Sequence, residues 1–131
     1  MAKARSKHLV LILARELASN LATPALIADA EGTLVFFNEA AVEIVGRPFS
    51  EIGEMPMDEF SASFEPRTRN HTPLSEEKRP TAIALEERRA AHEQLWVLSR
   101  DGVDRQVAIT AFPLFAEADE FVGIVGIFWR E

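Results

Sequence analysis

The chain has 131 residues, 47% hydrophobic and 27% charged, which is typical of a globular domain and indicates neither a disordered nor a fibrous protein. Its formal net charge of −7 would repel a phosphate backbone, so we expect no nucleic-acid partner. The absence of cysteine excludes disulfides, zinc–thiolate sites and cysteinyl photochemistry, and favours a cytoplasmic protein.

The first predicted element is an amphipathic helix within residues 1–22. Leucines recur every four residues along it, at Leu9, Leu13, Leu17 and Leu21. Pro24 ends the helix, because proline cannot donate to the helical ladder. The apolar run 9–14 is too short to cross a bilayer, so we expect no membrane partner.

Two short strands follow the helix. Residues 25–30 and 33–38 are apolar and are joined by Glu31 and Gly32, which predicts a hairpin. Residues 39–45 predict a short helix closed by Gly46, and irregular sequence continues to Pro73.

The last third predicts one helix and three strands. The helix spans 81–92 after Pro80, and the strands span 94–100, 104–114 and 120–129. Two strands, a helical insert and a three-stranded meander predict an α+β fold with an antiparallel sheet.

Several motifs occur in an order that resembles the PAS domain family after residue 22. The first half has the segments Ala25-Leu-Ile-Ala-Asp29, Glu31-Gly32 and Leu34-Val-Phe-Phe-Asn38. The second half has Arg79-Pro80, Asp101-Gly102, Phe112-Pro113-Leu114 and Phe121-Val-Gly123-Ile-Val125. The resemblance implies a PAS domain over 23–131, with a five-stranded antiparallel sheet and helices on one face. It also implies a sensory module that acts on an unidentified signalling protein.

Strand alternation assigns an apolar inner face to the sheet. We expect that face to comprise Leu26, Ala28, Leu34, Phe36, Leu95, Val97, Val107, Ile109, Ala111, Val125 and Ile127. Such a lining is compatible with a filled core or with an apolar ligand such as a fatty acid, and a fatty-acid carrier is the alternative function. In the flavin-binding PAS branch, the resemblance implies amide side chains at positions that fall here on Val97, Val107 and Val125, so we expect no flavin cofactor. Haem is not expected either, because His92, near the end of the helix that supplies the iron ligand in haem-binding relatives, is interpreted as a polar helix-end residue.

No catalytic or metal-binding residue is expected. The histidines His8, His71 and His92 share no motif with one another or with a nucleophile, and His92 is interpreted as a polar residue near a helix end. Asp29 is interpreted as a ligand of turn backbone.

A homodimer is expected through the N-terminal helix and the outer face of the sheet. Four leucines, Leu9, Leu13, Leu17 and Leu21, would pack on the helix's own sheet, and Val10 with much of Leu11 and Ala14 would meet the partner. Trp96, Ile124 and Phe128 are expected on the outer face, which is too apolar to remain in water.

Overall fold

The computed structural model describes residues 2–130, with side chains from residue 8 onward. The helices are α1 (Ala2–Ser19), α2 (Val42–Val45), α3 (Phe49–Ile52), α4 (Met57–Ala62) and α5 (Pro80–Glu87). The strands are β1 (Ala25–Asp29), β2 (Thr33–Phe37), β3 (Met55–Pro56), β4 (Ala91–Leu98), β5 (Asp104–Phe115) and β6 (Phe121–Arg130). In the described part of the chain, no helix is both long enough and apolar enough to cross a membrane.

The strands form one antiparallel sheet in the order β3-β2-β1-β6-β5-β4. It has six strands instead of the five expected, because Met55 and Pro56 pair with Leu34 and Thr33 at the edge. A two-residue strand is too short to show an alternating pattern in the sequence. Helices α4 and α5 contact one face of the sheet, here called the inner face, and α1 contacts the other, the outer face.

The main hydrophobic core lies between the inner face and α2, α4 and α5. Eight residues expected on the inner face lie in this core: Leu26, Ala28, Leu34, Leu95, Val97, Val107, Ile109 and Ala111. Asn38 is buried at the end of β2, where it joins the sheet to the helical insert.

The expected inward position of Phe36 is wrong because β2 contains a bulge. Ile27 pairs with Phe36, whereas Ala28 pairs with Leu34, so Val35 is an extra residue in β2. A bulge reverses the alternation of side chains beyond it. Phe36 therefore packs on the outer face and Phe37 enters the main core.

The alternation expected along β6 is also reversed. Leu26 pairs with Gly126 and Ala28 pairs with Ile124, and directly paired residues share one face of a sheet. Ile124 and Phe128 thus lie in the main core, 0% and 7% exposed, and cannot form part of an outer surface. Val125 and Ile127 pack on the outer face. Because β6 is apolar on both sides, its sequence has no polar residues that would indicate which side chains face the core.

The side of the N-terminal helix that packs on the sheet is opposite to the side expected. Leu11, Ala14 and Ala18 pack against the outer face, and Val10 is half-buried. The small side chains of Ala14 and Ala18 let the helix approach the strands closely. The remaining leucines, Leu9, Leu13 and Leu17, are exposed by 54%, 58% and 65%.

Helix α5 is shorter than expected. Arg88 follows Glu87 with a φ of 54°, a left-handed conformation that ends the helix. Strand β4 then begins at Ala91, so His92 belongs to a strand and not to the end of a helix.

Candidate functional site

An apolar cavity lies between the inner face of the sheet and helices α2, α4 and α5. It leaves about 80 Å³ for the centres of water molecules. For comparison, an apolar cavity of about 150 Å³ binds benzene, so this cavity has room for a molecule of only a few non-hydrogen atoms.

Five of the residues predicted to bind a ligand line this cavity: Leu26, Leu95, Val97, Val107 and Ile109. Three others, Ala28, Leu34 and Ala111, lie in the same core without lining it. The outer-face residues Phe36, Val125 and Ile127 are separated from the cavity by the sheet itself.

Most of the lining that the sequence did not indicate comes from the middle third of the chain and the beginning of α5. These residues are Ile44, Val45, Met57, Phe60, Ser61, Phe64, Pro66, Leu74, Arg79, Pro80 and Thr81, together with Phe128 of β6. The apolar residues Met57, Phe60 and Phe64 follow one another at intervals of three and four, which is a helical spacing. That spacing could have predicted helix α4 from the sequence.

Aromatic rings form one wall of the cavity. The ring of Phe60 stacks on Phe37 with centroids 5.8 Å apart, and it meets Phe64 edge-on at 5.1 Å. Such contacts fix ring orientations and limit how far this wall can adjust.

The cavity has polar side chains at one end. The hydroxyl oxygens of Ser61 and Thr81 are 3.4 Å apart, and Thr81 is only 5% exposed. Arg79, the residue before α5, donates from Nε to the carbonyl oxygen of Leu74 at 3.4 Å. We call Ser61, Arg79 and Thr81 the polar end.

A polar groove adjoins the polar end. It is lined by Glu31, Asp58, Glu76 and Glu86, and it shares Met57, Ser61, Arg79 and Thr81 with the cavity. Because these four residues line both spaces, the polar end lies where the cavity meets the groove.

The segment between α4 and α5 closes another side of the cavity. The backbone of Arg67 exchanges two hydrogen bonds with Trp96 at the edge of β4, at 2.9 and 2.8 Å. Its guanidinium donates to both carboxylate oxygens of Asp104, at 3.1 and 2.7 Å. These hydrogen bonds lower the pKa of Asp104 from its ordinary value. The pair therefore attaches this segment to β4 and β5.

The histidines do not converge on a reactive centre. His92 Nδ1 lies 2.7 Å from the Thr110 hydroxyl on strand β5, and the ring of His71 stacks on Trp96 at 4.8 Å. Among the described residues, no three His, Cys, Asp or Glu side chains are grouped so that they could hold a metal ion. Asp29 accepts hydrogen bonds from the backbone N–H groups of Glu31 and Thr33, both at 3.0 Å, as a turn residue does.

Solved structures share the fold. The PAS domain of BvgS from Bordetella pertussis superposes with a TM-score of 0.63 at 18% identity, over 92% of this chain and 84% of that one. The PAS domain of nitrogen regulation protein NR(II) from Vibrio parahaemolyticus gives 0.62 at 15% identity, over 91% and 98%. A phage VqmA in complex with DPO gives 0.65 at 14% identity, over 97% of this chain and 55% of that one. At such identities the likeness concerns the fold alone.

The sequence comparisons agree with the fold. No curated protein sequence matches the chain. A family profile described as PAS domain matches residues 23–129, which is most of the chain. PAS domains are generally sensory modules of signal transduction and are not generally catalytic. The chain belongs to the PAS domain family.

Proposed function

We propose that this chain is a sensory module that works as a homodimer and transmits its state to another protein by direct contact. The main support is the exposed side of α1, where Leu9, Ile12, Leu13 and Leu17 are each about half exposed or more. Contiguous exposed apolar patches are uncommon on soluble monomers beyond a few hundred Å² and often mark interaction surfaces. A second copy is a suitable occupant because a two-fold axis would cover the same stripe on both molecules.

The exposed surface continues from α1 onto the sheet. Helix α1 packs mainly on β1, β2, β5 and β6, and Trp129 at the end of β6 is 41% exposed. A partner helix seated beside α1 would cover this region too. In this arrangement a change in the packing of the inner core would pass through the sheet to the interface.

We further propose that a small apolar ligand occupies the cavity and biases the packing of the core. The cavity volume of about 80 Å³ favours a small ligand over the alternative of a fatty-acid carrier. Even drug-sized ligands occupy larger pockets, of about 300–1,000 Å³. We also propose a cytoplasmic location, since a chain without cysteine gains no disulfide from an oxidising compartment. We assign no catalytic residue.

Sedimentation at micromolar concentration tests the dimer. The intact chain is compared with Leu13→Glu, which places a charge in the exposed stripe, and with Ser19→Glu, which places the same charge at a polar position of α1. We expect the intact chain and Ser19→Glu to be dimers and Leu13→Glu to be a folded monomer, because Leu13 is 58% exposed within one chain. A folded monomer for the intact chain would contradict the dimer.

Native mass spectrometry of the purified protein tests the ligand. We expect a small bound molecule that is released on denaturation. Recovery of a long-chain fatty acid in stoichiometric amount would favour the carrier instead.

A further inference from the structure

The cavity is chemically asymmetric. All the residues that the sheet contributes to its lining are apolar, and the polar side chains come from the opposite, helical side. These are Ser61 on α4, Thr81 in the first turn of α5, and Arg79 just before it. A molecule in the cavity therefore meets hydrocarbon on one side and hydrogen-bonding groups on the other.

The polar end has unused capacity to donate hydrogen bonds. The Ser61 and Thr81 hydroxyls can use only one of their two protons in the contact between them. The Nη1 and Nη2 atoms of Arg79 make no hydrogen bond or ion pair with any residue that the structure describes. They remain without such a partner even though four acidic side chains line the adjoining groove.

We infer that the cavity binds a small, mainly apolar molecule that carries one oxygen acceptor, a carbonyl or a carboxylate, directed at the polar end. The inference rests on the proposed function, in which the cavity receives a ligand. The apolar body would contact Val97, Val107 and Leu95 of the sheet, and the oxygen would accept from Arg79 and the free hydroxyl proton. The ligand would enter through the groove, because the polar end lines both spaces.

Three probes of nearly the same size separate the possible chemistries. Acetone carries a neutral carbonyl, acetate carries a carboxylate, and isobutene has the shape of acetone without the oxygen. Each is titrated into the full chain, and binding is followed by the amide resonances of Leu26 and Val107. We expect an oxygen-bearing probe to bind about three- to tenfold more tightly than isobutene, which is the range that one hydrogen bond provides.

Two substitutions test the assigned residues. Arg79→Met and Thr81→Val keep much of the volume of each side chain, and both should reduce the preference for the oxygen-bearing probe without weakening the binding of isobutene. Arg69→Met and Thr72→Val change exposed residues outside the cavity and should leave the preference intact. Melting curves verify that each variant is folded.

The possible results are distinct. A preference for acetone identifies a neutral carbonyl and a preference for acetate identifies a carboxylate, and both support the inference. Equal binding of all three probes, or a preference that survives both Arg79→Met and Thr81→Val, overturns it while leaving the proposed ligand site in place. If none of the probes binds, the inference and the proposed ligand site both fail.

Discussion

The side-chain amide of Asn38 donates a hydrogen bond of 2.9 Å to the carbonyl oxygen of Ala18, and so connects the end of β2 to the last turn of α1. The same amide group donates to Thr23, and its oxygen accepts from the backbone N–H groups of Ala25 and Ala41. One buried side chain thereby links α1, β1 and the beginning of the helical insert. It is a direct connection between the helix of the proposed interface and the body of the domain.

We expect Asn38→Ala to lower the free energy of unfolding by about 2–4 kcal/mol, because buried backbone groups lose their partners. Asn38→Asp should also destabilise, since a carboxylate cannot donate to the carbonyls of Ala18 and Thr23. Chemical denaturation of both variants measures the effect, with Asn20→Ala as an exposed control. If Asn38→Ala and Asn20→Ala lose similar stability, this connection is unimportant.

The bulge in β2 predicts different effects for two adjacent phenylalanines. Phe37 is buried against Phe49 and Phe60, whereas Phe36 is half-buried beside α1 under the guanidinium of Arg15. We expect Phe37→Ala to cost about 3–5 kcal/mol and Phe36→Ala about half as much. Denaturant unfolding of the two variants tests for the bulge. In a strand without it, Phe36 would be the core residue, and Phe36→Ala would be the more destabilising change.

The ion pair of Arg67 and Asp104 predicts a pH dependence. Hydrogen bonding from Arg67 lowers the pKa of Asp104 in the folded protein below the unfolded value of about 3.9. The stabilisation is therefore complete above the unfolded pKa and disappears as the pH falls through the lower folded pKa. We expect Asp104→Asn to lower the melting temperature by about one to three degrees near neutral pH, with a smaller difference in acid.

Thermal melts across this pH range test the pair. Asp58→Asn is a suitable control, since among the described residues the Asp58 carboxylate accepts a hydrogen bond only from the backbone N–H of Glu59 and forms no ion pair. An effect of Asp104→Asn that stays constant from neutral to acid pH would show that the ionised pair is not its cause.

The purified protein should lack the absorption bands of flavin. Val97 and Val107 face the cavity, and the resemblance implies amides at these positions in flavin-binding relatives. The polar edge of a flavin ring would therefore lose hydrogen bonds worth about 1–3 kcal/mol each. Absorption spectra before and after incubation with flavin mononucleotide measure binding. A yellow protein after gel filtration would refute the expectation.

Local sequence patterns were sufficient for the outline of the fold. The Glu31-Gly32 turn, with Asp29 binding its backbone, and the meander of β4, β5 and β6 follow from turn residues and alternation. The family follows from the order of these motifs. Each of these features depends on residues close together in the chain, and for this reason it can be predicted without a structure.

Only the tertiary structure decided which way several elements face. Strands β2 and β6 and helix α1 are apolar on more than one side, so their hydrophobic patterns fit two orientations equally well. The bulge at Val35 and the pairing of Leu26 with Gly126 select one orientation for each strand. The lining of the cavity depends on the orientation of β6, since Phe128 faces the cavity only in the observed orientation. These pairings join residues distant in sequence, and a one-residue shift in phase moves every side chain of a strand to the other face.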